Sequence, residues 1–304
     1  MLPYRSLQEA ELALGRKLTW AEKLWFNYSA QKSDYYLYCH NILFFFFFFS
    51  LVPLPLVLME LKFSKNIGKY KLQPKVRLSF SDMVRCYRDV MRLFVLTIGP
   101  LQLASYPTVK WVGIRTGLPL PSGWEILLQL FVYFIIEDYG NYWIHRFLHN
   151  KWGYEKIHHV HHEFTAPIGF AAPYAYWAEI LILGFPSFLG PALVPGHIIT
   201  LWLWFIIRQV EAIETHSGYD FPWSPSKYIP FYGGAEHHDY HHFVGGQSHS
   251  NFASIFTYCD YIYGTDKGYR YHKETLKMLK EKWSSSSEQN GNGYQISNQD
   301  PKSD

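Results

Sequence analysis

Apolar residues fall along the chain in uncharged blocks set between polar connections. The first such block, residues 42–59, carries no charge over eighteen positions. That is close to the roughly twenty residues a helix needs to cross the hydrocarbon core. Pro53 and Pro55 predict a kink near its end. Further apolar segments occupy residues 93–106, 124–136, 180–194 and 197–207. Each is short for a solitary span, so any of them can instead be buried or re-entrant. Helices that continue into polar flanks would repair the deficit, most clearly where 124–136 runs on through Glu137 and Asp138 to His145. The pattern predicts an all-α fold: an integral membrane helical bundle with a histidine-rich cap.

Residues 1–40 read as two short helices. Ser6 with Glu9, and Thr19 with Glu22, have capping-box spacing. Trp20, Leu24, Trp25 and Tyr28 form a stripe at helical intervals, suited either to a membrane surface or to packing on the rest of the protein. The organisation expected is an N-terminal helical segment (1–40), membrane helices with a basic loop (41–123), a catalytic region (124–270) and a disordered polar tail (284–304). No internal repeat is visible.

Charge adds a topology. Residues 62–92 carry nine Lys or Arg, whereas 107–123 carry two. By the positive-inside rule the first connection faces the cytosol and the second the lumen. The segment 124–136 then returns to the cytosol, and 180–207 goes out and back as a hairpin. All the histidine boxes thus share one cytosolic face. The N-terminus falls in the lumen, with Asn27 in a glycosylation sequon. The first apolar run begins too far into the chain for a cleavable signal peptide. A net charge of +3 and the lack of a basic, aromatic-interleaved stripe argue against nucleic-acid binding. Three cysteines without CxxC spacing argue against a disulfide framework or a thiolate zinc site.

Twelve of the fifteen histidines lie between His145 and His242. His145 and His149 are four apart and share a helix face. His158, His161 and His162 combine spacings of three and four, enough for one helix end to serve two metals, and His238, His241 and His242 repeat that arrangement. His216 follows the last apolar segment on the same side and joins the candidate ligands. Asp138 and Tyr142 lie on the His145 face, and Asp239 adjoins His238. All three are candidates for orienting an imidazole through its other nitrogen. His159 and His237 sit off the repeated spacing and read as neighbours. His40, His197, His249 and His272 read as non-ligands. Nitrogen ligands alone suit iron, zinc or copper.

HxxxH, HxxHH and HxxHH on a chain of apolar hairpins resemble the membrane fatty acid hydroxylase superfamily of di-iron oxygenases. The chain is closer still to sterol 4α-methyl oxidases (methylsterol monooxygenases). That likeness rests on Glu137-Asp138 before His145-Arg146, Ile157 to Phe164, Ala166-Pro167-Ile168-Gly169, His216-Ser217-Gly218-Tyr219-Asp220, Ile229 to Gly234, and Phe256 to Asp266. Lys32 to Asn41 resembles the plant-type enzymes that take 4,4-dimethylsterols. The resemblance covers most of residues 1–270. It implies two non-haem iron ions, O2, and electrons from NAD(P)H through cytochrome b5 and its reductase. It also implies stepwise oxidation of a 4α-methyl group to a carboxylate in the endoplasmic reticulum membrane. A separate sterol C-4 decarboxylase and a ketoreductase would follow. Trp202, Trp204, Phe170 and Tyr174 are candidates for lining the substrate cleft, and equally for core or lipid-facing positions. Basic residues of 62–92 can meet anionic lipid headgroups or the acidic face of cytochrome b5. Alternatives are a fatty-acid hydroxylase or desaturase of the same superfamily, a membrane zinc hydrolase, or a metal transporter. A transporter would place its histidines within spans, whereas these follow them.

Overall fold

The computed structural model describes residues 3–62, 65–246 and 250–291. Helices make up the regular structure throughout. They are α1 (Leu7–Leu14), α2 (Trp20–Ser29), α3 (Asp34–Tyr38), α4 (His40–Ser50), α5 (Leu54–Leu61), α6 (Lys65–Gly68), α7 (Phe80–Leu93), α8 (Gly99–Ala104) and α9 (Tyr106–Trp111). The second half holds α10 (Gly123–Leu148), α11 (Lys151–Lys156), α12 (Trp177–Leu193), α13 (Ile198–Thr215), α14 (Gly234–Val244), α15 (Tyr258–Tyr263) and α16 (Lys267–Gly291).

Local sequence explains where these helices begin. Ser6, Thr19, Ser33, Ser79, Ser122 and Asn150 each accept the amide three residues on, satisfying an otherwise free donor. The Thr19–Glu22 box is reciprocal. At α1 it is not, because the Glu9 carboxylate takes the Arg5 amide instead. The stripe on α2 divides between core and surface. Trp25 is buried against Trp202 and His197, while Trp20, Leu24 and Tyr28 face outward. Asn27 is exposed, but it sits mid-helix and Ser29 is buried, donating to the Trp25 carbonyl.

A turn at residues 51–53 breaks the first apolar block, as Pro53 and Pro55 predict. Even so, Asp34–Leu61 is long and apolar enough to cross a membrane, and Trp177–Leu193 is a shorter apolar helix. Residues 93–106 do not form one simple span. α7 runs into a π turn at Phe94–Ile98, where the Gly99 amide reaches back to the Phe94 carbonyl. Pro100 and Pro107 supply no amide to continue a regular ladder. Residues 284–291, expected to be disordered, continue α16, while 292–304 lie outside the described residues.

The most extensive helix pair is α10 with α12. Two glycines permit it: a Cβ at Gly190 would lie 2.9 Å from Tyr133 Cα, and one at Gly140 would lie 3.1 Å from Pro186. These contacts run in opposite chain directions, so the helices are antiparallel. α13 returns alongside, with the Trp204 indole donating to Ser187 O at 2.8 Å and packing edge-on to Phe134.

The polar connections sort to two ends. At one end Trp25 donates to Thr116 O, Thr116 to Asp34, and the Arg115 amide to Gly196 O. At the other end the Leu72 amide meets Gly218 O, the Asp220 amide meets Tyr70 O, and Gln73 donates to Thr165 O and Asp239. That second end holds the histidine boxes. The expected boundary at 123/124 is not a packing boundary, since one apolar cluster runs from Trp25 through Phe49 and Val90 to Phe205. On α10, Trp124, Leu127, Leu128, Phe131 and Ile135 form an exposed apolar face at helical spacing, joined by Leu181, Ile182 and Phe185 of α12.

Candidate metal centre

α10 presents His145 one turn before His149, which caps the helix C-terminus. The chain then reverses through α11, whose Gly153 packs so tightly that a Cβ would lie 2.8 Å from Leu148 O. Residues His158–Glu163 form a 3-10 turn rather than the α-helix end that their spacing suggested. α13 ends at His216, and α14 carries the third box.

These nine imidazoles converge into two buried groups. His145, His149, His158, His162 and His241 form one, and His161, His216, His238 and His242 the other. Within each group the candidate donor atoms lie within 4.8 Å of one another. The two HxxHH boxes divide reciprocally. Box two gives its four-spaced pair to the first group and His161 to the second. Box three gives its four-spaced pair to the second group and His241 to the first. The groups adjoin where the His162 and His242 rings lie 4.6 Å apart.

Tautomers decide what this arrangement can hold. A carbonyl only accepts, so an imidazole facing one must carry its proton on that nitrogen. Nδ1 faces a carbonyl at His145 (Phe252, 2.8 Å), His161 (Tyr174, 2.9 Å), His216 (Ala212, 2.7 Å) and His241 (Ser250, 2.8 Å). His149 Nδ1 points the same way, 3.4 Å from Gly246 O. Each Nε2 is therefore a bare lone pair. Yet Nε2 of His161 lies 3.2 Å from that of His216, and Nε2 of His149 lies 3.1 Å from that of His241. Facing lone pairs with no proton between them repel, and a cation shared by them removes the conflict. Burial also disfavours imidazolium, holding His145 to about 4 and His216 to about 3. The residues present fit a pair of metal ions.

His158 differs from the rest: its Nδ1 meets the Glu179 carboxylate at 2.9 Å, and both side chains are buried. Glu179 lies in the first turn of α12 and escapes a sequence reading, because nothing but its place at the head of an apolar helix marks it. The three residues expected to orient imidazoles do other things. Asp138 accepts the Ile255 and Phe256 amides at 3.0 Å each, fixing the loop that presents the Phe252 carbonyl. Tyr142 bonds Thr265 and Arg146. Asp239 accepts from Gln73. Helix-face reasoning misplaces them because six of the nine imidazoles turn Nδ1 to a backbone carbonyl or to Glu179.

Of the histidines set aside, His159 is exposed, and His237 lies 3.4 Å from Asp260. His197 meets Gly117 O at the opposite end, and His40 contacts Tyr28 and Tyr36. His272 packs on Tyr240, and His249 lies outside the described residues.

A cavity of about 540 Å³ opens on both groups, reaching His145, His158, His161, His216 and His238. Apolar side chains such as Phe45, Leu101, Phe185, Phe188 and Phe205 line its length. Trp202, Trp204, Phe170 and Tyr174, candidates for lining or for core, are not among its walls. They lie in the core, or pack against it, elsewhere.

The fatty acid hydroxylase family matches residues 130–265, the interval containing every box. Methylsterol monooxygenase 1-2 of Arabidopsis thaliana is 68% identical over 93% of this chain and 95% of its own length. Very-long-chain aldehyde decarbonylase GL1-10 of Oryza sativa subsp. japonica is 70% identical over 92% and 93%. Methylsterol monooxygenase 2-2 of Arabidopsis thaliana is 45% identical over 82% and 91%. No solved structure matches. With the histidine groups intact and near-full-length similarity on both sides, the chain belongs to the methylsterol monooxygenase branch of the fatty acid hydroxylase family, a family of oxygen-using oxidoreductases.

Proposed function

We propose that this protein oxidises the 4α-methyl group of 4,4-dimethylsterols, stepwise to the carboxylate, at a di-iron centre. The observation that carries the metal reading is the set of Nε2 lone pairs brought face to face with their protons held on the other nitrogen. The substrate reading is supported by 65–68% identity to methylsterol monooxygenases over most of the chain. His145, His149, His158, His162 and His241 would hold one ion, and His161, His216, His238 and His242 the other. Iron would supply the activation of dioxygen needed to attack an unactivated C–H bond, which no side chain provides. Each turnover converts one oxygen atom to water and inserts the other, consuming two electrons and two protons.

The chain's own part is placement and exclusion of water. The apolar walls suit a lipid skeleton, whose end group would reach His145 and His161. Burial keeps the imidazoles neutral and available. Electrons would come from NAD(P)H through cytochrome b5 and its reductase. The exposed Lys69, Lys75 and Arg77 lie near the histidine end and would face anionic headgroups in the cytosolic leaflet of the endoplasmic reticulum. Lys71 is not available for this, because it is buried against Glu60. A sterol C-4 decarboxylase and a ketoreductase would act on the product.

The test is rescue of a yeast strain lacking sterol C-4 demethylation. Loss of accumulated 4,4-dimethylsterol supports the proposal. A second reading, action on very-long-chain aldehydes, is favoured by the 70% identical rice relative. Failure of rescue together with consumption of a long-chain aldehyde would establish that reading instead.

A further inference from the structure

Beside the histidines, the cavity wall carries a polar cluster that metal binding does not use. Asn141 of α10, and Arg208 and Gln209 of α13, line it together with Ser254. Arg208 is clamped between Glu137 at 2.6 Å and Glu211, and donates to Ser254 at 3.3 Å. Asn141 is 5% exposed, and its Nδ2 donates to Glu137. A carboxylate only accepts, so this contact fixes the amide orientation and leaves Oδ1 as the free acceptor. That Oδ1 is buried without a partner. An orphaned acceptor lining a cavity is a site prepared for a donor on the ligand.

Its position identifies which donor. Asn141 precedes His145 by four residues on α10, so the two side chains share one face about 6 Å apart along the axis. A sterol is defined by a hydroxyl on C3, and the methyl on C4 is three bonds from that oxygen. We infer that Asn141 Oδ1 accepts the sterol 3-hydroxyl proton, with the Arg208–Ser254 side of the cluster available to its oxygen, so that the 4-methyl group is held beside His145. Asn141 is thereby a specificity-determining residue: it selects 3-hydroxysterols over 3-ketones, 3-esters and 3-deoxy analogues. The inference rests on the sterol reading above and adds the atom that orients the ring.

A 3-deoxy analogue leaves Oδ1 buried and unpaired, which costs roughly 10- to 100-fold in kcat/KM for a neutral acceptor. The experiment compares a 4,4-dimethyl-3-hydroxysterol with its 3-deoxy counterpart in membranes containing the wild-type protein and Asn141→Leu. The wild type should prefer the hydroxysterol by that factor, and Asn141→Leu should bring the two substrates to near equality, mainly through KM on the hydroxysterol. Equal kcat/KM for both substrates in the wild type overturns the inference, and so does a variant that loses activity on both in equal proportion. If Asn141→Leu does not accumulate, the wild-type ratio still decides. Absence of turnover on any sterol would instead remove the substrate reading itself, an outcome separate from equal turnover on both.

Discussion

Removing the Glu179 carboxylate should weaken metal binding without dismantling the fold. His158 and Glu179 are both buried, and the Nδ1–Oε1 distance is 2.9 Å. The other carboxylate oxygen has no partner, so this one contact is what the side chain contributes. Glu179→Ala leaves the His158 Nδ1–H buried and unpaired, at a cost of about 1.5–3 kcal/mol for a charged acceptor. Because that contact keeps the His158 proton on Nδ1 and its Nε2 lone pair turned to the other imidazoles, its loss weakens metal affinity, by roughly 10- to 100-fold. Glu179→Gln keeps an acceptor but removes the charge that offsets the cation, so a smaller loss of about 10-fold or less is expected. The assay is competition for iron against a chromogenic chelator in detergent, with helix content followed by circular dichroism. Wild-type iron retention in Glu179→Ala would refute the reasoning. Equal losses in Ala and Gln, with helix content preserved, would refute the hydrogen-bond argument specifically.

Other consequences are as direct. His161→Ala should abolish turnover while leaving membrane insertion intact, read by product analysis and membrane fractionation. Asp138→Ala should destabilise the protein by about 1–3 kcal/mol by freeing a buried amide and a part-buried one, whereas Asp138→Asn retains an acceptor and most of the stability. Thermal unfolding in detergent distinguishes them, and equal losses would contradict the contact. Gly190→Ala drives a Cβ to 2.9 Å from the Tyr133 backbone, which cannot yield as a side-chain tip can. A loss of roughly 1–3 kcal/mol is expected, seen as a lowered melting temperature. Stripping metal with a chelator should lower that temperature as well, since the ions bind the folded chain alone.

The histidine set is legible in sequence because repeated spacings of three and four are a local property of helical backbone. Their grouping is not, because whether His161 joins His216 or His158 depends on a 3-10 turn and on how α13 and α14 meet. That the boxes share an end follows from how the helices connect, and contacts between residues 70–73 and 217–220 tie the basic connection to that end. Glu179, Asn141 and Arg208 escape notice for one reason: single polar residues on apolar helices acquire meaning only from the neighbour that tertiary packing supplies. Asp138, Tyr142 and Asp239 fail in the converse way. Their helix face is right, but an imidazole's second nitrogen goes to whichever acceptor is nearest, here backbone carbonyls of loops distant in the chain. Of the two places left open for the aromatics, Trp204, Phe170 and Tyr174 take the core, a choice that only tertiary packing makes.

If each of the two groups of imidazoles holds an iron ion, the metal content per chain is fixed. Protein purified anaerobically and measured by elemental mass spectrometry should contain two iron atoms per chain. About one zinc per chain with no iron would rule out the di-iron centre.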